Sequence, residues 1–148
     1  MTNRLKDYIN IIDKLETAVS ALTETQLDKR IAPDKWTPRE VIAHLLDSEI
    51  IVYARFRSIL ADKVPYISNH DESRWTKAFA HDKSNATENM KLLRIMRKLN
   101  YDLLVTLNDE QLNMKGLHST RGYESVRHFI EAYIVHVENH IGQIGRNS

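Results

Sequence analysis

Apolar residues recur at three- and four-residue steps through most of this chain. Leu5, Tyr8, Ile12, Leu15, Val19 and Leu22 form the first series, which predicts a helix from about Asn3 to Leu22. Thr23 to Lys35 is polar and is expected to be a connection anchored locally by Leu27 and Ile31. The second helix has a strong start signal. Thr37 suits the N-cap, Pro38 the first helical position, and Glu40 completes a capping box, with Trp36 and Val41 placed for a hydrophobic staple. Its buried stripe is Val41, Ile42, Leu45, Val52, Phe56 and Ile59, ending near Leu60. Lys63 to Lys83 is irregular, with a short helical candidate over Glu72 to Phe79. A third long helix starts near Ser84 to Thr87 and reaches about Leu107, with Met96, Leu99, Leu103 and Leu107 expected on its inner face. Asn108 to Gly122 reads as a connection with one helical turn at Asp109 to Leu112. The final helix starts near Tyr123 or Ser125 and reaches Ile144, burying Val126, Phe129, Ile130, Tyr133, Val137, Ile141 and Ile144. Four long amphipathic helices with almost no strand predict an all-α fold, a four-helix bundle.

Composition narrows this picture. The 148 residues fit one compact domain over 1–148, and the four glycines all lie late, which favours helices over many short strands. The absence of cysteine excludes a disulfide framework, a thiolate metal site and a thiol nucleophile borne by the protein. A net charge of +1, from 21 basic and 20 acidic residues, gives no long-range field for nucleic acid or an anionic membrane. Met1 to Tyr8 is polar, and no apolar run approaches the ~20 residues of a membrane span, so the expected location is the cytoplasm.

The chemistry lies in the histidines. His136 and His140 sit four residues apart on the final helix, a step of about 6 Å and about 40° that lets both imidazoles meet one ion. His140 falls inside the apolar stripe and His136 on its edge. Two polar rings facing a core need partners, since an unpaired buried polar group costs about 1–3 kcal/mol. A shared metal would satisfy both. His44 flanks the buried stripe of the second helix and is the only histidine in another long core helix, which makes it the candidate third ligand. Three histidines with a position left open is a catalytic type of metal site, and imidazole suits zinc, nickel, iron or copper. His128 faces away and should be solvated. His70, His81 and His118 lie in predicted connections, where solvation or a backbone hydrogen bond is the simpler account. Glu49 points to the apolar stripe of its helix. It is either a carboxylate tied to Trp36 or loop amides, or one that supports a ligand histidine or shuttles a proton. Asp47 is expected to face solvent or cap a loop, and Trp36 and Trp75 to anchor the core or line a pocket.

Trp36-Thr-Pro-Arg-Glu-Val-Ile-Ala-His-Leu-Leu-Asp-Ser-Glu49, His118 with Gly122, and His136-x-x-x-His140-x-x-Gln143-Ile144 occur in an order that resembles the DinB/YfiT-like superfamily over nearly the whole chain. That resemblance implies a four-helix bundle, a three-histidine site for one divalent metal on His44, His136 and His140, and a homodimer. It also implies activities ranging from transfer of low-molecular-weight thiols such as bacillithiol or mycothiol to hydrolysis. Three functions follow. The first is a metal-dependent thiol S-transferase acting on a small electrophile, with zinc or nickel as the ion. The second is a metal-dependent hydrolase of small molecules, with Glu49 as proton acceptor. Peptidase chemistry is disfavoured because Val137 stands where H-E-x-x-H requires Glu. The third is a metal-binding bundle without catalysis.

Overall fold

A computed structural model describes residues 1–147. The four long helices are α1 (Thr2–Ser20), α3 (Pro38–Ala61), α5 (Ala86–Leu104) and α7 (Val126–Asn147). Shorter helices occur between them at α2 (Glu24–Leu27), α4 (Glu72–Ala78) and α6 (Asp109–Leu112), with a 3-10 turn at His81–Lys83. The long helices form the bundle. α1 packs most extensively on α7, and α3 on α5, so the helices that carry the candidate ligands, α3 and α7, come from different pairs and meet across the core. No helix among the described residues is long and apolar enough to cross a membrane.

The capping box of α3 forms as expected: the Thr37 hydroxyl accepts from the Glu40 amide at 3.2 Å and the Glu40 carboxylate accepts from the Thr37 amide at 2.7 Å. Two further boxes, Thr23 with Gln26 and Asn108 with Gln111, start α2 and α6. Leu27 is buried, but Ile31 is 44% exposed and anchors nothing.

The expected all-α bundle carries one minor addition. Tyr66–Ile67 (β1), Lys115–His118 (β2) and Gly122–Ser125 (β3) form a small sheet in the order β1-β2-β3, parallel then antiparallel. These strands are two to four residues long, too short for an alternating pattern to show. At Gly116 an added Cβ would lie 2.7 Å from Ile67 Cδ1 and 3.1 Å from Ile59 Cγ1, so a larger residue would require those side chains to shift, and Gly122 takes φ +87° where the hairpin closes.

One expectation is corrected, the phase of α5. Its buried face is Met90, Leu93, Arg97, Asn100 and Leu104, while Leu99 is 45% exposed and Met96, Leu103 and Leu107 are only partly buried. Two polar residues occupy core positions because Glu49 is there to receive them. The Glu49 carboxylate accepts from Arg97 Nε at 2.9 Å, Asn100 Nδ2 at 2.7 Å and the Tyr8 hydroxyl at 3.0 Å, and Arg97 also donates to the Tyr8 carbonyl at 2.9 Å. Both charged side chains are 1% exposed. Removing one member of a buried, fully bonded pair leaves the other charge uncompensated. Glu49→Ala is therefore expected to lower stability by about 3–5 kcal/mol in chemical denaturation, and Glu49→Leu combined with Arg97→Met to recover much of that loss. A cost below about 1 kcal/mol for the single change would mean that water reaches the pair.

Candidate metal centre

His44 follows the α3 cap by two turns and is 2% exposed; His136 and His140 reach it from α7 and are partly buried. One ring nitrogen from each of the three lies within 4.8 Å of the others. His136 Nε2 is 2.9 Å from His44 Nε2 and 3.1 Å from His140 Nε2. His140 Nδ1 faces the Gln143 side-chain oxygen at 2.9 Å. That acceptor places the proton on Nδ1 and leaves the Nε2 lone pair aimed at the other two rings. A single N–H serves three converging nitrogens poorly, whereas a cation serves all three. Tetrahedral coordination with bonds of about 2.0–2.1 Å sets ligand nitrogens about 3.3 Å apart, so the two contacts made by His136 need lengthen by only a few tenths of an ångström. The donor set fits a divalent transition metal.

Electrostatics point the same way. Burial, reinforced by the neighbouring imidazoles, pushes His44 down to about 2, and burial does the same to His136, to about 3. His140 is also lowered by burial, with the Gln143 hydrogen bond pulling the other way. All three are neutral at pH 7, the form that binds metal. Trp36 borders the centre, its ring centroid 4.9 Å from that of His44 and stacked on His140 at 6.3 Å.

Glu49 is not brought to this cluster; its oxygens are taken by Tyr8, Arg97 and Asn100. The carboxylate near the histidines is Glu72, whose Oε2 lies 3.9 Å from His44 Nε2. Burial, with the charge of Asp71, raises its pKa above the ordinary glutamate value. Sequence reasoning missed Glu72 because it starts a short helix within an irregular segment. The N-cap signal was there, since the Asp71 carboxylate accepts from the Arg74 amide at 3.0 Å, but nothing local says which way that turn faces.

The other histidines divide. His118 Nδ1 accepts from the Thr120 and Arg121 amides at 3.2 and 3.3 Å and so shapes the β2–β3 turn. His81 Nε2 lies 3.0 Å from Asp47 Oδ2, which places Asp47 against the 3-10 turn rather than in solvent. His128 is exposed. His70 stands at the cavity beside the centre, with both ring nitrogens buried and no hydrogen-bond partner among the described residues. That cavity, about 260 Å³, is bordered by Arg55, His70, Glu72, Arg121, Tyr133 and His136. A second, of about 600 Å³, shares Asn69 and His70 with it and runs along Trp75 and Phe79.

Single replacements His44→Ala, His136→Ala and His140→Ala are each expected to abolish stoichiometric metal uptake, while His128→Ala leaves it intact. Elemental analysis of untagged protein measures this, and full occupancy in the His44 or His136 variant would refute the assignment. The metal-free protein should also be acid-sensitive. Unfolded histidine titrates near ~6.5, and the folded values of His44 and His136 lie far below, so their contribution is complete above about pH 6.5 and is lost as the pH falls. Each group contributes up to about 1.4 kcal/mol per pH unit in that range. Melting curves of metal-free protein at pH 7.5 and pH 5 test this; equal melting temperatures would mean the rings are solvated.

The model of the DinB superfamily matches residues 10–144. YfiT of Bacillus subtilis (strain 168), provisionally named a metal-dependent hydrolase, is 30% identical over 132 residues, covering 88% of this chain and 74% of that protein. A relative from Oceanobacillus iheyensis with the same provisional description is 26% identical, covering 95% of this chain and 80% of its own. The solved structure of Bacillus subtilis YfiT, described as a probable metal-dependent hydrolase with an unusual four-helix bundle topology, superposes with a TM-score of 0.93 over 99% of this chain and 85% of that one. The mycothiol-dependent maleylpyruvate isomerase shares the fold at a TM-score of 0.77 and 12% identity, over 97% of this chain and 60% of that one. On its sequence and its fold, the chain belongs to the DinB superfamily.

Proposed function

We propose that the protein is a metal-dependent hydrolase of small molecules, with His44, His136 and His140 holding one divalent ion, zinc or nickel, and Glu72 receiving the proton of the attacking water. The observation that carries this reading is the position of Glu72, 3.9 Å from a ligand nitrogen and with a raised pKa. An ion held by three imidazoles supplies a Lewis acid that makes a weak nucleophile usable near neutral pH. Water, much less acidic than a thiol, gains most from an adjacent base. Burial tunes Glu72 toward that task by raising its proton affinity. Gln143 holds His140 in the tautomer that presents Nε2. Trp36 and the buried side of α3 keep water from the back of the site, and the cavity bordered by His136 and Glu72 gives a small substrate its approach. A cavity open to a ligand histidine disfavours a bundle that merely stores metal.

Thiol transfer is the second reading. The larger cavity adjoining the first at Asn69 and His70 gives room for a low-molecular-weight thiol, such as bacillithiol, beside an electrophile. A chain without cysteine needs such a thiol from outside. The two readings part on the nucleophile. Metal-depleted protein should regain turnover of an ester and amide panel with Zn²⁺ or Ni²⁺ and no added thiol if hydrolysis is right. Glu72→Gln should then lower kcat about 10²–10⁴-fold with metal content unchanged. The acid limb of the wild-type profile should lie above the ordinary glutamate range. Turnover only in the presence of a thiol would favour transfer, and a fully active Glu72→Gln variant would remove Glu72 from the mechanism.

A further inference from the structure

The cavity beside the histidines contains an arginine without a counter-ion. Arg55 is 8% exposed. By contrast, Arg97, with a side chain 1% exposed, holds Glu49 at 2.8 Å, and Arg39, 13% exposed, holds Glu24 and Asp28 at 2.8 and 2.7 Å. Arg55 has no carboxylate within salt-bridge distance among the described residues. Its Nη2 donates to the Ser68 carbonyl at 3.0 Å, its guanidinium carbon lies 5.3 Å from the centre of the Phe129 ring, and its charge is felt by the Tyr133 hydroxyl. Five N–H donors and a full positive charge are thus met by neutral groups alone. A buried charge left in that state is costly, and the protein gains no matching ion pair from it.

The arrangement makes sense with a ligand in place. Arg55 and His44 are eleven residues apart on α3, which puts them on one face, three turns and about 16 Å apart along the axis, with the arginine side chain leaning back toward the histidine. On α7, Tyr133 connects the two ends, its ring centroid 5.9 Å from that of His136. His70 borders the same cavity and brings two more buried nitrogens without partners. Glu72, the acidic side chain on this cavity's border, is beside His44, so an anion is favoured at the Arg55 end. Arg121 also borders the cavity, but its guanidinium is paired with Glu124.

We propose that Arg55, assisted by His70, binds a carboxylate of the substrate, so that the protein acts on small carboxylic acids whose reactive group lies at the three histidines. The planar fork of an arginine matches a carboxylate in a two-bond geometry that a lysine cannot reproduce. This assignment rests on the metal reading of His44, His136 and His140, and the test separates the two.

Cobalt-loaded protein should be titrated with mercaptopropionate and mercaptohexanoate, and in parallel with mercaptopropanol and mercaptohexanol, following the cobalt–sulfur absorption band. The thiol head anchors each probe at the ion, and only the far end differs within a pair. At least one acid is expected to bind ten-fold or more tightly than its alcohol. Arg55→Met should reduce that acid to the affinity of the alcohol, and Arg55→Lys should restore only part of the difference. Failure of the wild-type protein to take up cobalt would sink the metal reading. Cobalt uptake with equal affinity for every acid and its alcohol, or with no binding of either series, would overturn the assignment of Arg55 alone. The wild-type comparison decides this even if an Arg55 variant does not fold.

Discussion

Near the middle of the bundle one carboxylate joins three of the four long helices. Glu49 belongs to α3, Arg97 and Asn100 to α5, and Tyr8 to α1. Each contact is short and shielded from water, so each is directional in a way that apolar packing is not. An apolar stripe tolerates a helix that rotates by some tens of degrees; a carboxylate with three fixed donors does not. The rotation of α3 about its axis is set there, and with it the aim of His44 five residues earlier and of Arg55 six residues later. The polar core therefore does for α3 what the capping box does for its start: together they fix where the helix begins and which way it faces.

The fourth long helix is placed by different means. α7 packs along α1 over an apolar seam and is tied to it at the surface, where Arg4 Nε reaches Glu131 at 2.9 and 3.0 Å. That pair is largely exposed and contributes little to stability. At the site end, α7 meets α3 through three imidazoles instead of three methyl-bearing side chains. Burial keeps those rings neutral, and neutral imidazole is the form that can bind a metal. The centre is thus a place where packing and metal affinity make the same demand on the sequence, which is why its residues look half like core and half like surface.

That double character also explains what could be read in advance. Thr37, Pro38 and Glu40 encode a start by purely local chemistry, and α7 announces its buried side by period alone, so His136 and His140 could be placed on a helix face from the sequence. α5 resisted the same treatment. Its inner face includes Arg97 and Asn100, which any count of apolar positions sends outward, and Met96, Leu99, Leu103 and Leu107 offered a false stripe in their place. Only the knowledge that a buried Glu49 awaits them corrects the phase, and that knowledge is tertiary. Glu49 itself was legible as an inward-facing carboxylate with a structural role as one of its two readings, but its partners were not, because the sequence does not say what lies opposite. Glu72 and Arg55 illustrate the remaining gap. Each owes its role to a cavity assembled from distant segments, and no pattern within a helix reports on a cavity.

The smallest element of the fold governs the placement of Glu72. β1 pairs in parallel with β2, Tyr66 with Leu117 and Ile67 with His118, across some fifty residues of chain. Only two residue pairs hold this strand in the sheet, against the many packing contacts that hold each long helix. β1 leads directly into the turn that begins α4 and carries Glu72. Glu72 thus depends for its position on a two-residue strand, whereas the histidines are carried by two long helices. Loss of that one short pairing is a route by which the protein could retain its bundle and its imidazole cluster while losing the carboxylate beside them.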